Sequence, residues 1–317
     1  MLPITLVRHP INFYLVQAVG FLFACSIGIF ICWTSAEAII TPGVKRSNYL
    51  ILIVGLGLVY LAFHMVVKYF KNTPIITLNS FEITFDKRVS FKLRDIDELK
   101  LTGKVSFPML FNFPMEGTSI RFKNGETKFI YDELYSNAWQ LKSILEKVVV
   151  NKEPYEMGAP ETKPTNTELE HMEVFKGNPY FSLRGIMLWG LIGYLMFLTF
   201  FGGKPIDPKV TMIFIGISIF WFLAISNSMN YFGLSDEYFI VKNHHFIWKR
   251  HLYKLIDIRE IVFETQPKAS NCLRIISRDF HTKLYPAGTL HDKHWLELMR
   301  RLEAKGVPVR NECIRPG

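Results

Sequence analysis

The chain has 317 residues, 49% hydrophobic and 15% aromatic, with 37 Lys and Arg against 28 Asp and Glu, for a net charge of +9. Its mean hydropathy of +0.17 and charged fraction of 21% exclude a disordered chain and a basic nucleic-acid tail, and predict that part of the sequence lies in lipid. The four cysteines, Cys25, Cys32, Cys272 and Cys313, lack the spacing of a disulfide framework, so nothing demands an oxidising compartment.

Residues 13–33 carry no charge over 21 positions, and 49–67 run for 19 with His64 as their only basic or acidic group. Residues 186–202 and 210–226 add two uncharged runs of 17 each. A helix crosses the hydrocarbon core with about 20 apolar residues, so four spans in two hairpins are predicted. Pro42-Gly43 and Pro205 with Pro208 mark the turns. Tyr14, Trp33, Tyr49, Tyr69, Phe70 and Trp221 fall near span ends, as an interfacial aromatic belt would. The first span is too long for a signal-peptide core and lacks a cleavage site, so it is expected to be retained. Arg8, Lys68, Lys71, Lys176 and Arg184 outnumber Lys45, Arg46, Lys204 and Lys209 by one, which favours cytoplasmic soluble parts.

The chain reads as one unit used twice. His9-Pro10 and Asn178-Pro179 each precede a hairpin, and each hairpin is followed by strand-like sequence and an amphipathic helix. Asp95-Ile96-Asp97-Glu98-Leu99 matches Asp257-Ile258-Arg259-Glu260-Ile261. In the first unit, strands are predicted at 75–78, 81–85, 89–93, 98–101, 119–122 and 126–130. Asn124-Gly125 is the hairpin turn, and a helix follows over 132–149. In the second unit, strands are predicted at 231–234, 238–241, 246–248, 258–265, 273–277 and 282–285, with a helix over 292–304.

Strand, polar turn, return strand, the Asp-Ile motif, further strands and a closing helix make each unit similar to the bacterial PH-like domains that follow a transmembrane hairpin. The resemblance implies an α+β membrane protein of two repeats. Each repeat would be a transmembrane helical hairpin plus a PH-like small β-barrel or split sheet, capped by its C-terminal helix. Expected boundaries are 1–70 for the N-terminal segment and first hairpin, 71–150 for the first PH-like domain, and 151–180 for a mobile linker with Pro154, Pro160 and Pro164. The second hairpin takes 181–228, the second PH-like domain 229–310, and a tail 311–317. The resemblance implies fold and anchoring, not activity.

Two features stand out as candidate sites. Residues 105–117 hold Phe107, Met109, Leu110, Phe111, Phe113 and Met115, with Pro108 and Pro114 disfavouring regular structure. An exposed apolar segment of this kind marks a partner or membrane site, unless it folds onto its own domain. The second soluble part, 227–317, has 15 basic and 10 acidic residues and six of the nine histidines, whereas 68–180 has 16 of each. Lys242, Lys249, Arg250, Lys254, Arg300 and Arg301 are candidates to face an anionic leaflet, unless they form an ordinary solvated surface. The pairs His244-His245 and His291/His294 lack acidic or cysteine ligands at a metal-site spacing, so no metal or other cofactor is expected. Gln17 and His64 alone do not make an ion path. Cys25 with Cys32, Gly55 with Gly57, and Gly190 with Gly193 are expected to let helices pack closely. No nucleotide loop, nucleophile elbow or zinc-hydrolase motif occurs.

The expectation is a non-enzymatic scaffold, binding or regulatory protein of the bacterial inner membrane, with cytoplasmic PH-like domains. Its partners would be membrane lipids and a protein, with self-association possible and no nucleic acid. The alternatives are a membrane immunity protein that neutralises a toxin, and anionic-lipid sensing or handling by the second unit.

Overall fold

The computed structural model describes residues 3–40, 46–86, 88–108, 112–153, 172–201, 208–265 and 270–313. Predicted features at Pro42-Gly43, at Pro205 and in the segment around Pro154, Pro160 and Pro164 lie outside the described residues. The chain divides into two compact units, Met1–Gly158 and Ala159–Gly317.

In the first unit, strand β1 (Ile4–Thr5) leads into a π-wound turn, Pro10–Leu15, and helix α1 (Val16–Ile40). His9 starts this helix: its Nδ1 accepts the N–H groups of Ile11 and Asn12 at 3.2 and 3.1 Å, and Pro10 has no N–H to satisfy. Helix α2 (Arg46–Lys71) returns antiparallel. The two backbones touch at Gly28 and Gly55, where a Cβ on either would sit 3.0 Å from the other's carbonyl oxygen. Gly57 faces open space, so its predicted packing role is not realised within the unit.

Strand β2 (Ile76–Leu78) pairs with β1, Ile4 opposite Leu78, so the segments entering and leaving the hairpin are hydrogen-bonded to each other. With β3 (Glu82–Phe85) and β4 (Val89–Lys92) they form a sheet of order β1-β2-β3-β4. In the second sheet, β7 (Asn112–Phe122) pairs with β5 (Ile96–Lys100), β6 (Lys104–Pro108) and β8 (Thr127–Tyr131). Period-two alternation turns Ile76, Leu78, Ile83, Phe85, Ile120 and Phe122 inward, and Phe91 stacks on Phe122 at 4.0 Å to join the sheets. Helix α3 (Ala138–Leu145) buries Leu141, Ile144 and Leu145 completely.

The second unit also opens with a short strand and a helical hairpin, but among the described residues then carries six strands before its closing helix and one after it. Strand β9 (Glu173–Phe175) precedes α4 (Leu183–Phe201) and α5 (Pro208–Ser226), and β10 (Asn230–Leu234) then pairs back onto β9, Phe232 opposite Phe175. Asn178 Oδ1 accepts the N–H groups of Tyr180 and Phe181 at 2.8 and 3.0 Å, as His9 does for Ile11 and Asn12. Strands β11 (Tyr238–Asn243) and β12 (Arg250–Lys254) complete a sheet of order β12-β11-β10-β9. The other sheet has order β15-β14-β13-β16, from β13 (Ile258–Thr265), β14 (Asn271–Ser277), β15 (Thr282–Pro286) and β16 (Val309–Asn311). Helix α6 (Asp292–Ala304) sends a fully buried Trp295 between Phe232 and Phe263, 5.6 and 5.5 Å away, so both sheets and the helix share one core.

The Asp-Ile motifs do the same work in both units. Each ends a one-turn 3-10 helix, Leu93–Asp95 and Leu255–Asp257, and each is followed by a register shift, Ile96/Glu98 and Ile258/Glu260. The carbonyls of Asp95 and Asp257 accept the N–H groups of Lys123 and Arg278, both at 2.8 Å.

Three sequence expectations need correction. The described parts of 105–117 are not irregular: residues 105–108 lie in β6 and 112–117 in β7, with Ser106 opposite Pro114 and Pro108 opposite Asn112. Prolines are tolerated because this stretch of β7 pairs with β6 alone and leaves its other edge open. Residues 246–248 are not a strand. Asn243 Oδ1 accepts the N–H groups of His245 and Phe246, both at 3.0 Å, which widens the turn as far as Lys249. Finally, among the described residues three helices, against the four predicted, are long and apolar enough to cross a membrane: Pro10–Ile40, Ser47–Lys71 and Leu183–Phe201, with Val210–Ser226 shorter.

Candidate membrane-surface site

The apolar candidates of the first unit separate. Phe107 is 1% exposed and packs against Tyr69 and Tyr131, with ring centroids 5.4 and 4.8 Å away, so it belongs to the domain's own core. Asn72 at the foot of the hairpin donates its Nδ2 to the Pro108 carbonyl at 2.7 Å and fastens β6 to the end of α2. Phe113 is exposed and Met115 half-buried. Met109, Leu110 and Phe111 lie outside the described residues.

The basic candidates of the second unit also separate. Arg300 and Arg301 are on α6, where Arg301 Nε pairs with Glu173 at 3.3 Å and Glu297 at 3.5 Å. Lys254 ends β12 opposite Tyr238. Lys242 and Arg250 are cross-strand neighbours, and Lys249 adjoins them in sequence, so these three form the cluster that survives folding.

The widened turn between β11 and β12 holds this cluster at the end of the helical hairpin. Asn243 Nδ2 donates to the Ser226 carbonyl at 2.8 Å, at the last residue of α5. The rings of His245 and Phe246 lie 5.4 and 6.3 Å from Phe222, and His245 lies 6.0 Å from Trp189 of α4. Lys249 Nζ donates to Asn227 Oδ1 at 2.5 Å and stands 4.6 Å from the centre of the Phe246 ring. With the base of the turn clamped in this way, its tip is pushed outward: Ile247 is 87% exposed and Trp248 77%. Among the described residues, neither Lys249 nor Arg250 has a carboxylate within ion-pair distance.

Beside the turn, a cavity of about 150 Å³ opens where the edge strands β12 and β15 approach, lined among others by Asn227, Asn230, Lys249, His251 and Tyr285. His251 Nδ1 lies 3.3 Å from Lys283 Nζ, and the hydroxyls of Tyr253 and Tyr285 are 2.5 Å apart. Lys283 escaped sequence reasoning because its approach to His251 joins positions 32 apart. No group of metal-ligating side chains occurs among the described residues.

Burial lowers the basicity of this corner of the unit. His244 falls from 6.5 to about 4, through burial first and then the positive charge of His245 and Lys176. His245 and His251 are also lowered by burial, His251 further by Lys283 and Lys249. A histidine with a depressed folded value leaves the unfolded chain holding more protons, so its stabilisation is complete above pH 6.5 and is lost as pH falls toward 4. Half-exposure of His244 screens the effect to the order of 1–2 kcal/mol. Thermal unfolding of the second unit is therefore expected at lower temperature at pH 4.5 than at pH 7, and His244→Gln should flatten that dependence. A melting series across this range, in wild type and variant, checks it.

Compared with known proteins, the chain matches no family model and has no significant match among curated proteins. What stands is a mixed α+β chain with several antiparallel sheets and, among the described residues, three helices suited in length and composition to a membrane.

Proposed function

We propose that this chain is a non-enzymatic inner-membrane binding or regulatory protein, built of two hairpin-plus-PH-like units. Its second unit takes the anionic surface of its own membrane as ligand. The observation that carries this is the β11–β12 turn, fastened to the ends of α4 and α5 while it exposes Ile247 and Trp248 beside Lys249 and Arg250. Tryptophan prefers the headgroup level of a bilayer. Each cation near an anionic leaflet adds about 1 kcal/mol. The matched caps, register shifts and clamped hairpins of the two units support the duplication. The β9–β10 pairing also supports a fourth crossing: if α4 enters the bilayer, α5 must return for β10 to meet β9. The near-hairpin basic residues favour the cytoplasmic leaflet.

Quenching by lipids spin-labelled near the headgroup tests the proposal, with the full chain in bilayer discs. Wild type is expected to show a quenched component that Trp248→Phe removes. That component should be larger with anionic lipid and weaken with salt. Equal quenching with and without Trp248, indifferent to lipid charge, would overturn it.

A protein partner at the first unit is a second reading, favoured by Phe113, 38% exposed on the part of β7 that reaches beyond β5 and β8.

A further inference from the structure

We propose that the cavity between β12 and β15 of the second unit binds the phosphate of an anionic phospholipid. The proposal rests on the second unit meeting the bilayer surface.

Three observations carry it. First, Lys249 and His251 both line the cavity. Lys249 reaches it from the widened turn, and Lys283 donates to His251 Nδ1, which leaves the ring proton on Nε2. The lining acceptors are engaged: Asn230 Oδ1 accepts from Asn243 at 3.1 Å, and Asn227 Oδ1 accepts from Lys249. Second, the charge is unbalanced. Among the described residues, no carboxylate lies within ion-pair distance of Lys249, Arg250 or Lys283. Lys249 lines the cavity and Lys283 stands 3.3 Å from His251 in its wall, so an anion held there would be attracted by both. Burial lowers the basicity of Lys283 and His251, and the charges of Lys283 and Lys249 lower His251 further. Third, the position suits a lipid: Asn227, in the wall, is the first residue after α5. Lysine suits a phosphate held as a point charge, and the Asn227 bond and the Phe246 ring already hold Lys249 in place.

Native mass spectrometry of the full chain in a non-ionic detergent tests this, with phosphatidylglycerol, phosphatidylcholine and soluble glycerol phosphate as separate probes. One saturable phosphatidylglycerol site is expected, weakened at least tenfold by Lys283→Gln and further by Lys249→Gln. Lys254→Gln, the same loss of charge outside the cavity, should change it less than threefold. Lys283 is exposed, so its variant should fold normally. Equal effects from Lys254 and Lys283 would overturn the site. Binding of glycerol phosphate without phosphatidylglycerol would overturn the lipid as its source. If the cavity alone is wrong, the Trp248 quenching described above persists; if the second unit does not meet the surface, that quenching fails as well.

Discussion

Gly177→Ala is expected to unfold the soluble part of the second unit, while Gly190→Ala leaves it intact. A Cβ on Gly177 would stand 1.7 Å from the Thr289 carbonyl oxygen and 2.3 Å from its carbon. Both are backbone atoms, so no rotamer change relieves the clash. The segment after β9 or the loop after β15 must move, and β9 carries the pairing that closes the hairpin. Overpacking typically costs ~1–3 kcal/mol where side chains can yield, so a backbone clash belongs at or above the top of that range. A Cβ on Gly190, in α4, would have nothing within 4 Å, and alanine there gains helix propensity. Limited proteolysis of the full chain in detergent reads the difference: rapid cleavage within 229–310 for Gly177→Ala, wild-type resistance for Gly190→Ala. Wild-type resistance in both would refute the packing at Thr289.

Arg274→Met should cost the second unit about 3–5 kcal/mol, and adding Glu264→Gln should recover much of it. These side chains are each 2% exposed, and Arg274 Nη2 and Nε reach Glu264 Oε1 at 2.7 and 3.2 Å. Val262 faces Arg274 across the β13–β14 ladder and Cys272 faces Glu264, so the pair is diagonal between adjacent strands. Removing the guanidinium takes this partner from a carboxylate that is 2% exposed, and the weakened compensation of that buried charge dominates the loss. With both charges gone, methionine fills the space at little electrostatic cost. Melting temperatures of the single and double variants check this, with a fall on the order of 10 °C expected for Arg274→Met. A double variant no more stable than the single would show that the arginine acts through its packing alone.

Much of the fold was legible in local pattern. The helix over 292–304 and the strand over 258–265 have the predicted boundaries, because each signals itself through its own period. Asn124-Gly125 makes its turn with Gly125 at φ +83°, a backbone position that only glycine adopts readily. The strands missed were β1, β6, β9, β12 and β16, three of them two or three residues long and defined by a partner distant in sequence. Such segments carry too few residues to show alternation. Val309–Asn311 becomes a strand because β13 lies beside it in parallel.

The candidate site divides along the same line. Composition located the basic unit, and the candidate cations already included Lys249 and Arg250, because charge excess is additive along a chain. Which cations converge was decided elsewhere. Asn243 widens one turn and frees Trp248, Glu173 neutralises Arg301, and two sheet edges bring Lys283 to His251. Phe107 reads as a sticky residue in sequence and is core in the fold, because Tyr69 and Tyr131 arrive from α2 and β8 to cover it. Hydropathy and periodicity by themselves determined the apolar helices, most of the strands and the unequal charge of the two units, since those depend on neighbours within a few residues. Exposure, ion pairing and the cavity depended on contacts between positions tens of residues apart, and only the tertiary structure decides those.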